Sequence, residues 1–120
     1  MSESLRPRKR HEMKIWPEFY EPTLRGTMRF TLRRDDREDG FRMGDELLLR
    51  EWNPDVYQLN LPMGHRTEED IQAAIEAAYT GREVLVRVDY VMPVETVDRL
   101  MDLEIPYPAE HVIMSISRVH

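Results

Sequence analysis

The hydrophobic and polar pattern is organised around Leu24 to Trp52, where an alternating run, a charged turn and a short apolar run follow one another, and the other predicted elements lie on either side of that stretch. Met28, Phe30 and Leu32 interleave with Arg29, Thr31 and Arg33. A strand has a side-chain period of two, so the first set is expected to pack on one face and the second to carry cations on the other. Leu47 to Leu49 form a short apolar run between Gly44-Asp45 and Asn53-Pro54, which predicts a second, buried strand. The five charges of Arg33, Arg34, Asp35, Asp36 and Arg37 stand between the two, so the pair reads as strands joined by a charged loop that reverses the chain. The plain alternative for that loop is a solvated tip.

Elsewhere the pattern predicts three further strands and two or three helices. In His11 to Trp16, Met13 and Ile15 oppose Lys14 and Trp16, which makes the first strand. Pro17 then fits the first turn of a short helix ending at Gly26, although Pro22 requires that helix to be very short or broken. Residues 53–66 are rich in turn formers and predict a long excursion. Thr67 opens a helix with Ile71, Ala74, Ile75, Ala78 and Tyr79 on one face, Asp70 completing a capping box and Gly81 as the stop. Glu83 to Val91 is the strongest strand, with Val84, Val86, Val88 and Tyr90 on one side. Residues 94–104 read as a helix, and Val112, Met114 and Ile116 alternate through a closing strand. Helices do not alternate regularly with strands, so an α+β fold with a curved, barrel-like sheet of about five strands is expected.

Composition narrows the class. The 120 residues are 41% hydrophobic and 33% charged, which suits one soluble domain at 11–120 behind a basic arm at 1–10. The absence of cysteine excludes disulfides, cysteine-ligated zinc and a thiol nucleophile, and agrees with a reducing cytoplasm. No export signal or membrane span is expected. Residues 1–65 hold 12 Lys+Arg against 12 Asp+Glu, and residues 66–120 hold 5 against 11. The excess acidity therefore lies in the second half, and a basic face on the first half can still act within a Debye length of about 8 Å. Fifteen of the cations are arginine, which suits recognition of phosphate or a base edge and equally suits a GC-rich genome.

The order of landmarks is more specific than any one of them. His11-Glu12-Met13-Lys14-Ile15-Trp16-Pro17, Phe19-Tyr20, Gly26, Phe30, Leu32-Arg33, Asp36-Arg37, Gly44-Asp45, Leu49-Arg50-Glu51-Trp52 and Tyr79-Thr80-Gly81-Arg82-Glu83-Val84 follow one another here. This run resembles a small bacterial and phage family of unknown function among the ASCH domains of the PUA-like superfamily, over roughly residues 11–91. The resemblance implies a small β-barrel with a cleft beside the first helix, and binding of RNA or a modified nucleotide. One ASCH branch hydrolyses an acylated cytidine with a lysine and, three residues later, a threonine. Thr31 matches the threonine, but Met28 stands at the lysine, so that hydrolysis is expected to fail.

The candidate ligand-binding residues are Lys14, Trp16, Thr31, Arg33, Asp36, Arg37, Glu51, Trp52 and Arg82. Lys14, Arg33 and Arg37 would contact phosphate, Trp16 or Trp52 would stack on a base, and Asp36 or Glu51 would accept from an exocyclic amine. Each tryptophan has a core role as its alternative. Glu51 beside Trp52 would have a raised pKa if buried against the ring, or would form a strand-end salt bridge to Arg50 or Arg33. The four histidines have no paired spacing, and no phosphate-loop, dinucleotide or serine-hydrolase motif occurs, so no metal or cofactor is expected. The leading reading is a non-catalytic RNA- or nucleotide-binding domain. The alternatives are an amidohydrolase acting on a modified nucleoside, and a phage or mobile-element protein that binds a host protein.

Overall fold

The computed structural model describes residues 7–35, 40–64, 66–96 and 111–119. Five strands form one curled, half-barrel sheet: β1 (Arg10–Ile15), β2 (Phe30–Arg34), β3 (Glu46–Trp52), β4 (Tyr79–Pro93) and β5 (His111–Arg118). Three helices accompany it, α1 (Pro17–Leu24), α2 (Pro54–Asn60) and α3 (Glu68–Ala77). Residues 94–96 are also helical, and the rest of the helix expected over 94–104 lies outside the described residues. The fold is α+β with a barrel-like sheet, as the pattern predicts.

The sheet order is β1-β3-β4-β5-β2. β1 runs parallel to β3, and the other neighbours are antiparallel. Leu47 and Leu49 of β3, Val84, Val86 and Val88 of β4, and Val112, Met114 and Ile116 of β5 all point into the concave side, where Ile15, Tyr20 and Phe41 complete the core. Burying each such aliphatic side chain contributes about 1.5–3 kcal/mol. The folded unit also reaches back into the expected arm: Glu46 N–H donates to the Lys9 carbonyl, and Lys9 N–H donates to Asp45 Oδ1.

Several expectations are corrected. β2 and β3 are not a pair, because β1 and β4 occupy both edges of β3 and β2 crosses to β5. The face of β2 is also inverted. Thr31 lies opposite Met114, which is fully buried, and directly opposed residues share a side of the sheet; Thr31 is therefore inward, while Phe30 is 59% exposed and Leu32 37%. Tyr90 is likewise exposed, because the register slips between Val88 and Tyr90. That bulge returns Val91, not Tyr90, to the core side.

The helices differ from the pattern at their ends. Residues 54–60 form α2, since the Asn53 side chain accepts from Asp55 N–H and Pro54 takes a first-turn position. α3 has the expected Thr67–Asp70 capping box but ends at Ala77, and Tyr79, Thr80 and Gly81 already belong to β4. Pro22 does not break α1. Its carbonyl accepts from Thr27 N–H, while Gly26 N–H donates to the Thr23 carbonyl and Gly26 takes φ 78°, a Schellman stop that turns the chain toward β2.

The inverted face of β2 has a measurable consequence. Leu47→Ala should lower unfolding free energy by about 2–5 kcal/mol, and Phe30→Ala by no more than about 0.5 kcal/mol, in urea titrations. A core-sized loss for Phe30→Ala would restore the original face assignment.

Candidate functional site

Because β1 and β2 are the two outer strands of the curled sheet, the barrel has a seam between them. Arg33 on β2 spans it: Nη1 donates to the Lys14 carbonyl at 3.0 Å, and Nε donates to Thr31 Oγ1 at 3.0 Å. Above this bridge a cleft of about 490 Å³ runs beneath α1, with Leu49 and Ile116 at its base. Pro17 starts α1 immediately after β1, which places Trp16 and Phe19 on the cleft's rim, 47% and 43% exposed. Phe30 supplies a third exposed ring and Thr31 a buried hydroxyl.

Four candidate residues thus meet in one place: Lys14, Trp16, Thr31 and Arg33. Met28 lines the same cleft. Phe19 and Phe30 also line the cleft, although neither is among the nine candidates. Phe19 had only the helix start after Pro17 as a signal, and Phe30 was assigned to the packing face. Asp36 and Arg37 lie outside the described residues.

The remaining three candidates do not line the cleft. Trp52 is 8% exposed, its indole N–H donates to the Ile75 carbonyl at 2.9 Å, and its ring tilts against Tyr57. It is a packing residue that no base can stack on. It reaches the site only through Lys14, whose Nζ sits 4.6 Å above the ring, a cation–π contact that places the ammonium. Glu51 and Arg82 belong to a separate cluster under α1, described below. Among the described residues, no three His, Cys, Asp or Glu side chains converge in a metal-binding arrangement, and no helix is long and apolar enough to cross a membrane.

Residues 10–116 match the family described as a domain of unknown function, DUF3850. The chain belongs to that family. No curated protein matches it. The matched segment runs from the start of β1 into β5, so both walls of the cleft are part of the DUF3850 domain.

In this DUF3850 chain Glu51 follows Leu47 and Leu49 at period two, so the strand carries its carboxylate to the inward face, 4% exposed. Arg82 meets it with a two-pronged contact, Nε to Oε1 at 3.0 Å and Nη2 to Oε2 at 3.1 Å, and Thr80 Oγ1 donates to Oε1 at 2.7 Å. Arg82 also pairs with Glu21 of α1 at 2.8 Å and lies over the Tyr20 ring. The cluster ties α1 to the end of β3 and the start of β4. These hydrogen bonds from Arg82, with Thr80, outweigh burial and hold the Glu51 pKa below its ordinary 4.5. Of the two readings of Glu51, the raised value is therefore overturned and the strand-end salt bridge stands, with Arg82 rather than Arg50 or Arg33 as its partner. Burial pushes the Tyr20 hydroxyl the other way, upward, while its O–H donates to the Glu83 carbonyl.

A carboxylate with a lowered folded pKa stabilises the protein fully above its unfolded value, and that contribution disappears as pH falls through the folded value. Denaturant titrations from about pH 7 to about pH 2 should show wild type losing stability on the acid side. Glu51→Gln should be less stable at neutral pH, and the gap between the two should narrow toward acid. A gap that widens toward acid would mean a raised Glu51 pKa.

Proposed function

We propose that this domain is a PUA-like, ASCH-type binding domain that holds an unpaired base of RNA, or a modified nucleotide, in the seam cleft. The observation that carries the reading is the conjunction of three exposed aromatic rings, Trp16, Phe19 and Phe30, with the cations Lys14 and Arg33 around one cavity. Every base has a π face, and stacking on an aromatic side chain contributes about 1–3 kcal/mol per base. Unpaired nucleotides present that face, whereas a duplex hides it. Lys14 and Arg33 give the cleft a positive field, and the cleft's size suits a small flat ligand.

The hydrolytic alternative is disfavoured by the same cleft. Thr31 Oγ1 is hydrogen-bonded by Arg33 Nε, and a guanidinium has no lone pair with which to take the hydroxyl proton. Met28 adds no base or charge. Thr31 therefore serves as a polar contact for the ligand in this reading, and not as a nucleophile.

Fluorescence anisotropy against single-stranded RNA, hairpin RNA and duplex DNA at two salt concentrations tests the proposal. Single-stranded and loop RNA should bind more tightly than duplex DNA, with affinity falling as salt rises. Trp16→Ala and Phe30→Ala should each weaken RNA binding about 5- to 150-fold, matching the stacking range, and Arg33→Ala should also weaken it. Removal of residues 1–8, which leaves Lys9 and β1 in place, should spare it. Loss on truncation alone would assign binding to a non-specific basic arm. No binding to any of the three, nor to modified nucleosides, would sink the reading and leave recovery of a host-protein partner as the next test. Release of acid from N-acylated cytidine would instead reinstate the hydrolase.

A further inference from the structure

On the far side of Met28 lies a second cavity of about 480 Å³, at the C-terminal end of α1. Thr23, Met28 and Ile116 line both cavities, so a single layer of side chains separates them. The two differ in chemistry. Where the cleft offers aromatic rings, this cavity is lined by Arg25, Arg29 and Arg118, with Ser115 and Ser117 on the β5 side.

Two of these arginines are held by backbone rather than by acids. Arg29 Nε donates to the Gly26 carbonyl at 3.1 Å, and Arg118 Nη1 donates to the Leu24 carbonyl at 2.9 Å. These acceptors sit where α1 ends, at the negative pole of the helix, which favours cations. A guanidinium carries five N–H donors, so one bond to a carbonyl fixes its position and leaves most of its fork unspent. Among the described residues neither Arg29 nor Arg118 pairs with a carboxylate. Asp89 lines the cavity as well, but its Oδ1 accepts from Arg87 Nε at 3.2 Å and from Ser117 Oγ at 3.1 Å. Its charge is matched by Arg87. Arg25 approaches Glu21 only at 3.8 Å, with both side chains exposed, and such a pair contributes little. The helix end therefore directs two cationic forks to one cavity, where the lining carboxylate of Asp89 is bonded to Arg87 and Ser117 rather than to either of them.

We propose that this cavity is a phosphate subsite, and that the ligand of the seam cleft is a nucleotide unit whose phosphate lies across Met28 from its base. The assignment of a base to the cleft rests on the preceding reading; the anion site stands on Arg29 and Arg118 themselves. The phosphate is supplied either by a free nucleotide or by the RNA backbone, and both carry the oxygen acceptors that a guanidinium fork fits.

The test uses the full chain with inorganic phosphate, the four ribonucleosides, their 5′-monophosphates and single-stranded RNA, and the double variant Arg29→Gln/Arg118→Gln. The 5′-monophosphates should bind about 10-fold or more tighter than the nucleosides, as two charge-assisted contacts imply. The double variant should erase that gain while leaving nucleoside affinity unchanged. With RNA, the slope of log affinity against log salt should become shallower by about one to two in the double variant if the backbone phosphate occupies the site. Loss with monophosphates and an unchanged RNA slope would identify the free nucleotide as the source. A monophosphate gain that is absent, or that survives in the double variant, together with an unchanged RNA slope, would overturn the subsite. If neither nucleosides nor RNA bind, the base reading fails and arginine Nε–Hε NMR resonances decide the anion site. Shifts of Arg29 and Arg118 with inorganic phosphate would uphold it, and their constancy would overturn it.

Discussion

The fold depends on β3 having only two edges. β1 docks parallel along one and β4 antiparallel along the other, so every backbone partner β3 can accept is supplied by these two strands. β2, although it precedes β3 in the chain, must pair elsewhere, and it closes the far side on β5. The curled sheet is thus left with a seam between β1 and β2, and a seam in a small barrel is either filled by side chains or kept as a cavity. Here one long polar side chain, Arg33, crosses it by hydrogen-bonding to backbone. The candidate site is a direct consequence of that topology.

The two buried carboxylates, Glu51 and Asp45, are matched rather than merely buried. Glu51 receives Arg82 and Thr80, and Asp45 receives His11 Nε2 at 3.0 Å together with the Lys9 and Arg42 backbone N–H groups. The second cluster binds the approach to β3 to the start of β1, and the His11 ring packs edge-on against Phe41. Burial of an unpaired charge is far more costly than burial of a paired one, so both clusters act as registers for the elements they join. α1 is held in this way from below by Arg82 and Tyr20, which keeps Trp16, Phe19 and the arginine-lined helix end in fixed relation to the sheet.

Legibility followed the number of neighbours each segment has. The buried alternation of β4 and β5 is readable because its two phases differ in chemistry, and Val84, Val86, Met114 and Ile116 lie on the inward side. In the apolar run Leu47 to Leu49, only the register with β4 decides that Leu47 and Leu49 point inward. The capping box of α3 was readable because it is local. α2 was missed although Asn53, Pro54 and Asp55 are an N-cap, a first-turn proline and a first-turn acid; the turn-forming residues around them masked the signal. The bulge after Val88 left no local mark, yet it exchanged Tyr90 for Val91 on the inner face.

By itself the sequence determined the strand count, the inward row of β4 up to Val88 and of β5, the capping box of α3, the stop of α1 at Gly26 and the gathering of cations in the first half. These are properties of residue spacing and of short-range hydrogen bonding. Tertiary structure decided which strands pair, which face of β2 looks inward, and that Glu51 meets Arg82 thirty-one positions away. It also decided that Trp52 is packed while Trp16 is exposed. Alternation specifies two faces but not which of them meets the core, and that choice comes from register with a distant strand.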